Sequence, residues 1–392
     1  MLPVLLFSLT LFAAVLISDL AERSVISTAV LFLLVGFIAG EGATGLVRVD
    51  PASPVVSEIV TLALFTTLFT DGMRVRASEL RRWWGLPGRA LFLGLPLSVL
   101  GTALLARLLG GLEWQWALLL GAVLAPTDPV FAAALVQREE LPESLRRLLN
   151  VESGLNDGLA LPLVLWLIHM GQPDTSAADL LVPLAVGVAI GAVVPWVGDR
   201  LERSRWFNAH ESYRALAGLA VALVVLSLTR LAHGNEFLAA FAAGAVIIWL
   251  RPEISEEFRS FVGHLSDLLK FAALFIFGAL ISPELLRDLG PADYAFALLV
   301  LLAVRPVTLS LVLVGSGMPA RQRAVAAWFG PKGFASVLYA VLVLRSQVPN
   351  ATHLFHLAAV VIALSILLHS STDVPAARWL RGHPKPSTSP RL

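Results

Sequence analysis

The sequence predicts an all-α polytopic membrane protein of about 13 transmembrane helices, with helix breaks at matching places in two six-helix halves. Three observations carry this. Of 392 residues, 57% are hydrophobic and 15% charged, with a mean hydropathy of +0.78, too apolar for the surface a soluble globule needs. Runs of roughly twenty apolar residues recur along the whole length, enough to cross a ~30 Å hydrocarbon core as helices. Two of those runs are interrupted by Pro or Gly beside a charge.

Turn signals and charges set the elements in order. The N-terminal stretch "MLPVLLFSLTLFAAVLI", which opens segment 2–18, has no basic leader and no small-residue cleavage site, so it reads as a span rather than a signal peptide. Arg23 follows it, then segment 25–42 and Arg48. Segment 55–72 runs into Arg74, Arg76, Arg81 and Arg82, and 86–109 closes around Arg107. Segment 114–136 precedes Arg138, Arg146 and Arg147; 147–170 follows; and 177–198 leads to Arg200, Arg203 and Arg205. Segment 211–231 ends at Arg230, 235–250 at Arg251 and Arg259, and 263–282 before Arg287. The last three are 292–314 before Arg321 and Arg323, 322–344 before Arg345, and 351–371 before the tail. That tail holds Arg378, Arg381, Lys385 and Arg391, and from Gly382 it is Pro/Ser-rich and expected to be disordered.

Loops after odd-numbered spans, with the tail, hold 19 of the 29 basic residues, and the opposite side holds 5. Basic loops stay in the cytoplasm, so the N-terminus is expected outside and the C-terminus inside, in a cell inner or plasma membrane. Trp83, Trp84, Trp114, Trp116 and Trp206 fall near span ends and read as interfacial anchors. Cys is absent, which removes disulfides and thiolate metal sites, and the eight His show no metal spacing. His233, near Asn235 and Glu236 at a span end, reads as an interfacial residue or pH modulator. No nucleotide-binding or extramembrane catalytic module is recognisable.

Ionised residues at a helix centre cost about 2.5–3.5 kcal/mol each on insertion scales, so each needs a reason. The sequence places five at depth: Asp128, Glu152, Asp157, Arg305 and Lys332. In "GAVLAPTDPVFAAALV" (121–136), Pro126 and Pro129 both lack a backbone donor, so span five should break around Asp128. Non-helical backbone at that depth survives only beside a protein-lined or hydrated cavity. An Asp could merely cap the second half-helix, but Ser or Asn would do so without a charge. In span six, Glu152, Ser153, Asn156 and Asp157 share one helical face through i,i+4 spacing. Their oxygens are hard ligands for an alkali cation or a proton. A plain helix–helix polar contact is the competing reading, usually made without carboxylates. Arg305 needs an anionic partner, and Glu152 is the expected bidentate mate. Lys332, in "AWFGPKGFASVLYA", marks a break in span twelve through Gly330, Pro331 and Gly333, and it neutralises helix ends or meets substrate. Spans five and twelve hold corresponding places in halves 1–6 and 8–13, the usual location of a secondary transporter's midplane site. Three acids against two bases leave one negative charge, which one monovalent cation or one proton would cancel.

These residues resemble the NhaP/NHE type of the cation–proton antiporter superfamily. The matching stretches are "PTDPV" (126–130), "NVESGLND" (150–157), "FGPKGFAS" (329–336) and "FLAAFAAGAVI" from Phe237, with Arg305 where the family's buried Arg sits. The resemblance implies two inverted six-helix repeats with crossing discontinuous helices, and exchange of Na+ (or Li+) for H+. It implies ion and proton carboxylates at Asp128 and Asp157, and Na+ ligands at Ser153 and the Thr127 carbonyl. Asn156 would hold the geometry, Glu152–Arg305 would be a structural ion pair, and Lys332 would be the crossover charge. It further implies a homodimer whose scaffold is 1–85 and 171–290, around ion-transporting core helices 86–170 and 291–371, with 372–392 as cytoplasmic tail. The Asn-Asp pair 156–157 is associated in the family with electroneutral exchange. No cofactor and no nucleic-acid partner is implied; membrane lipid is. Two departures stand out. Lys332 replaces the family's usual Arg, and a compact ammonium is not equivalent to a guanidinium. Asp71 stands in a pattern usually written with Glu, at the expected cytoplasmic end of its span, where it caps the helix or modulates the site.

K+/H+ exchange would use a similar ligand set and stays open from sequence. A cation channel would also place charge in the membrane. An intramembrane aspartyl protease would need two buried Asp, but not the buried Arg, the Lys and the two broken helices.

Overall fold

The computed structural model describes residues 1–18, 28–74, 85–128, 142–170, 176–204, 214–251 and 256–381. Among the described residues every regular element is helical. The helices are α1 (Leu2–Leu16), α2 (Thr28–Ala39), α3 (Pro54–Arg74), α4 (Gly85–Leu108), α5 (Trp114–Leu124), α6 (Glu143–Met170), α7 (Ala177–Glu202) and α8 (Arg214–Leu231). There follow α9 (Glu236–Leu250), α10 (Glu256–Leu280), the short α11 (Pro283–Asp288), α12 (Pro291–Val312), α13 (Ala320–Trp328), α14 (Phe334–Arg345) and α15 (Ala351–Arg381). Among the described residues, seven are long and apolar enough to cross a membrane, and six further apolar helices are shorter.

The helices start and stop for local reasons. Ser176 and Asp179 form a capping box at the start of α7, and Asn235 accepts from the Leu238 amide at the start of α9. Polar side chains inside α3 bond back to their own helix, as where the Thr67 hydroxyl donates to the Ala63 carbonyl at 2.6 Å. Two helices carry a five-residue π segment, Ala90–Gly94 in α4 and Val300–Val304 in α12. Each is followed two residues later by a proline, Pro96 or Pro306, whose missing N–H frees a carbonyl and lets the turn widen. These are the fourth and eleventh of the expected spans, the same place in each half. The two hydroxyls that lie two residues beyond those prolines, Ser98 and Thr308, meet at 3.1 Å.

Two sets of packed helices result. In one, α3 lies against α9 and α10, α7 against α8 and α9, and α2 against α1 and α10. In the other, α4 packs on α5 and α12, α5 on α6, α12 on α13 and α15, and α14 on α15. The α3–α9 crossing is close because glycine faces backbone on both sides. A Cβ on Gly72 would overlap the Phe241 carbonyl, and one on Gly244 the Phe69 carbonyl. Without a hydrophobic drive between helices in lipid, such contact supplies the attraction.

Two expectations are revised, and others fall outside the described residues. The last helix continues through Arg381 instead of ending near 371, running on past Pro375. Trp114 is exposed, but Trp116, two residues or about 200° further around α5, is buried and packs inside. Trp83, Trp84, Trp206, Pro129 with the second half of span five, and the tail from Gly382 all lie outside the described residues. His233 is exposed, in a left-handed turn (φ 52°) between α8 and α9.

Candidate functional site

The two breaks meet each other. Helix α5 ends at Leu124, and residues 125–128 are non-helical, as are 329–333 between α13 and α14. The Asp128 amide donates to the Pro331 carbonyl at 2.9 Å, and the Phe334 amide donates to Asp128 Oδ2 at 3.3 Å. Backbone groups freed in one break are thus satisfied by the other, which is how irregular chain is tolerated at membrane depth. Gly333 is required here, because a Cβ at that position would run into the Asp128 side chain.

Helix α6 supplies the adjoining wall. The Ser153 hydroxyl donates to the Thr127 carbonyl at 2.6 Å, and Asn156 Nδ2 donates to Thr127 Oγ1 at 2.8 Å. Asp157 follows on the same face, its backbone carbonyl accepting from the Tyr339 hydroxyl at 2.7 Å. Asp128, Ser153, Asn156 and Asp157 are all buried. Among the described residues, no hydrogen-bond partner meets Asp157 Oδ1 or Asn156 Oδ1. Buried oxygens left open in this way are donor atoms for a hard cation or a place for a proton.

Arg305 and Glu152 form a bidentate pair at 2.7 and 3.1 Å. The same guanidinium donates to the Phe329 carbonyl at 2.9 Å and reaches that of Ala326 at 3.5 Å, so it also closes the end of α13. Its side chain lies against Gly330, where a Cβ would overlap it. Lys332 is buried within the break, its amide donating to Ser365 Oγ at 2.8 Å. Ser365 lies 3.1 Å from His369 Nδ1, and His369 Nε2 lies 3.1 Å from the Trp328 carbonyl. The Ser365–His369 pair of α15 therefore clips both sides of the second break.

Two groups join the cluster that charge-counting along the sequence did not place there. Asp71, near the end of α3, is buried at 3% exposure. One oxygen pairs with the half-exposed Arg74 at 3.0 Å, and the other has no partner among the described residues. Its charge acts on Asp157, and that of Asp128 acts on both. Lys270, on α10, is buried at 5% exposure and also acts on Asp71 and Asp157. It stands within the expected span 263–282, and that depth was the available signal. With Asp267 three residues earlier, it also fits a paired group near a span end.

A family profile described as sodium/hydrogen exchanger, transmembrane, matches residues 7–379. The chain is 27% identical over 359 residues to the K(+)/H(+) antiporter NhaP of Alkalimonas amylolytica, covering 89% of this chain and 62% of the relative. It is 26% identical over 385 residues to the K(+)/H(+) antiporter NhaP2 of Shewanella baltica, covering 95% and 66%. The chain thus spans just under two thirds of the length of these curated relatives. The solved structure of the sodium proton antiporter MjNhaP1 from Methanocaldococcus jannaschii shares the fold, with a TM-score of 0.80 at 20% identity, covering 98% of this chain and 99% of that one.

Proposed function

The chain belongs to the sodium/hydrogen exchanger transmembrane family, and on that premise we propose that it is a secondary active antiporter exchanging Na+ (or Li+) for H+. It is a multi-pass membrane protein, a transporter and not an enzyme. The observation that carries the reading is the charge balance of the buried cluster. Asp71, Asp128, Glu152 and Asp157 stand against Lys270, Arg305 and Lys332, all under 9% exposed, which is four acids and three bases. The single negative charge left over is cancelled by one monovalent cation or by one proton. Like charges held together in a medium of low dielectric constant cannot all stay ionised, so the two guests exclude each other.

In this reading Asp128 and Asp157 take the guest, with Ser153 and the Thr127 carbonyl as neutral Na+ ligands. Asn156 fixes Thr127, Glu152–Arg305 holds α6 to the second break, and Lys332 neutralises the carbonyl ends gathered there. Asp71 belongs to the same cluster and modulates it from the end of α3. Scaffold 1–85 and 171–290 carries the dimer contact, and core 86–170 and 291–371 moves against it; the division of the packed helices into two sets supports this. The N-terminus faces outward and the C-terminus the cytoplasm, in a cell inner or plasma membrane, on the bias of basic loops. One-for-one exchange moves no net charge, so the ~2.3 kcal/mol per charge per 100 mV of membrane potential does not drive it.

A second reading, K+ for H+, is favoured by the names of the curated relatives. Both are tested by antiport in proteoliposomes with Na+, Li+ and K+ at several pH values, with and without imposed voltage. Voltage-independent exchange with one or more of these ions is expected, and Asp157→Asn should abolish it. Wild-type flux in that variant would overturn the reading.

A further inference from the structure

Lys270 enters the charge balance above, but it holds neither the guest nor a break, and its place beside the acids calls for a role of its own. Its helix, α10, packs on both α3 and α14. Nζ lies 5.3 Å from the centre of the Phe334 ring and 3.6 Å from Oδ1 of Asp267, whose side chain is half exposed. Phe334 opens α14, and its amide is the one that donates to Asp128. The ammonium is therefore held by a ring face toward the break and a half-exposed carboxylate on the other side. The charged groups that share its surroundings are Asp267 on its own helix, Asp71 on α3 (itself paired with Arg74) and Asp157 on α6, with Asp128 beyond Phe334.

We propose that Lys270 is an affinity-determining residue, a tethered positive charge that weakens the grip of the acid cluster on any cation and so keeps the transported ion releasable. The inference rests on the cation–proton exchange proposed above. Asp71, Asp128 and Asp157 together in a site of low dielectric constant would hold a monovalent cation tightly, and a transporter that cannot release its guest does not turn over. A fixed ammonium nearby repels the guest in every cycle without leaving the protein.

The two guests carry the same charge, and this gives the proposal a distinctive signature. Removing the ammonium strengthens cation and proton binding by the same factor. Where protons compete little, at alkaline pH, the apparent KM for the cation must fall. Where protons saturate the site, at acid pH, the two gains cancel and KM must converge on wild type. Lys270→Met and Lys270→Arg in the full chain, reconstituted in proteoliposomes, test this with Na+ and K+ over a range of pH. Lys270→Met is expected to lower the alkaline KM about tenfold, equivalent to roughly 1.4 kcal/mol of repulsion removed. Lys270→Arg should keep the wild-type profile. Should Lys270→Met fail to purify, Asp267→Asn carries the test, because loss of that carboxylate leaves more of the ammonium's field on the cluster and should raise the alkaline KM. An unchanged KM in the variant that folds, or a fall in maximal rate alone at every pH, would overturn the proposal. Absence of any exchange in the wild type would instead overturn the function on which it rests.

Discussion

Replacing Arg305 with Ala removes a guanidinium that does two things at once. It neutralises Glu152 through two hydrogen bonds of 2.7 and 3.1 Å, and it satisfies the Phe329 carbonyl at 2.9 Å. Both side chains of the pair are below 10% exposed, so bulk solvent has little access to the carboxylate left behind. Leaving a buried charge unpaired costs about 3–5 kcal/mol, and the orphaned carbonyl roughly 1 kcal/mol more. Taking about 2 °C per kcal/mol for a chain of this size, the apparent Tm should drop by ~8 °C or more. The assay is thermal unfolding of detergent-purified protein followed by size-exclusion chromatography. A companion double variant, Glu152→Gln with Arg305→Met, removes both charges and should recover most of the loss, since a buried pair is itself close to neutral against an apolar replacement. If Arg305→Ala melted like wild type while exchange was lost, the structural assignment of this pair would fail. Arg305 would then be a residue of the transport chemistry itself.

Two further outcomes follow from close approaches of backbone. Gly333→Ala places a Cβ against Asp128 and should cut flux by at least tenfold in protein that still purifies as a folded species; wild-type rates in proteoliposomes would show that the contact between the breaks is not needed. Gly244→Val drives a side chain into the Phe69 carbonyl across the α3–α9 crossing and should lower stability by about 2–3 kcal/mol, read as a fall in apparent Tm.

Much of the site was legible because charge in a hydrophobic run is costly and therefore conspicuous. Asp128 between two prolines, the four polar residues on one face of α6, and Lys332 among glycines all announced themselves against apolar neighbours. Arg305 did so too, and its need for an acid followed from elementary electrostatics. Lys270 did not, and Asp71 was picked out only through the family pattern it approximates, as a cap or a modulator. Each stands near a span end with an opposite charge three residues away, Arg74 and Asp267, which in a linear reading is an ordinary surface pair. Only the packing of α3 and α10 against the core turns them inward. Trp116 was misplaced for a related reason, since proximity to a span end says nothing about which side of the helix a ring occupies.

The sequence by itself determined the all-helical class, the position of both breaks and the presence of an unbalanced charge, because each is a local cost written in composition and in proline and glycine. The tertiary structure decided that the two breaks exchange hydrogen bonds, that Asp128 is held by an amide 206 residues further on, and that a lysine from another helix joins the acids. Those are contacts between distant segments. Their geometry is set by how helix surfaces fit together, and no periodicity along one strand of sequence encodes that fit.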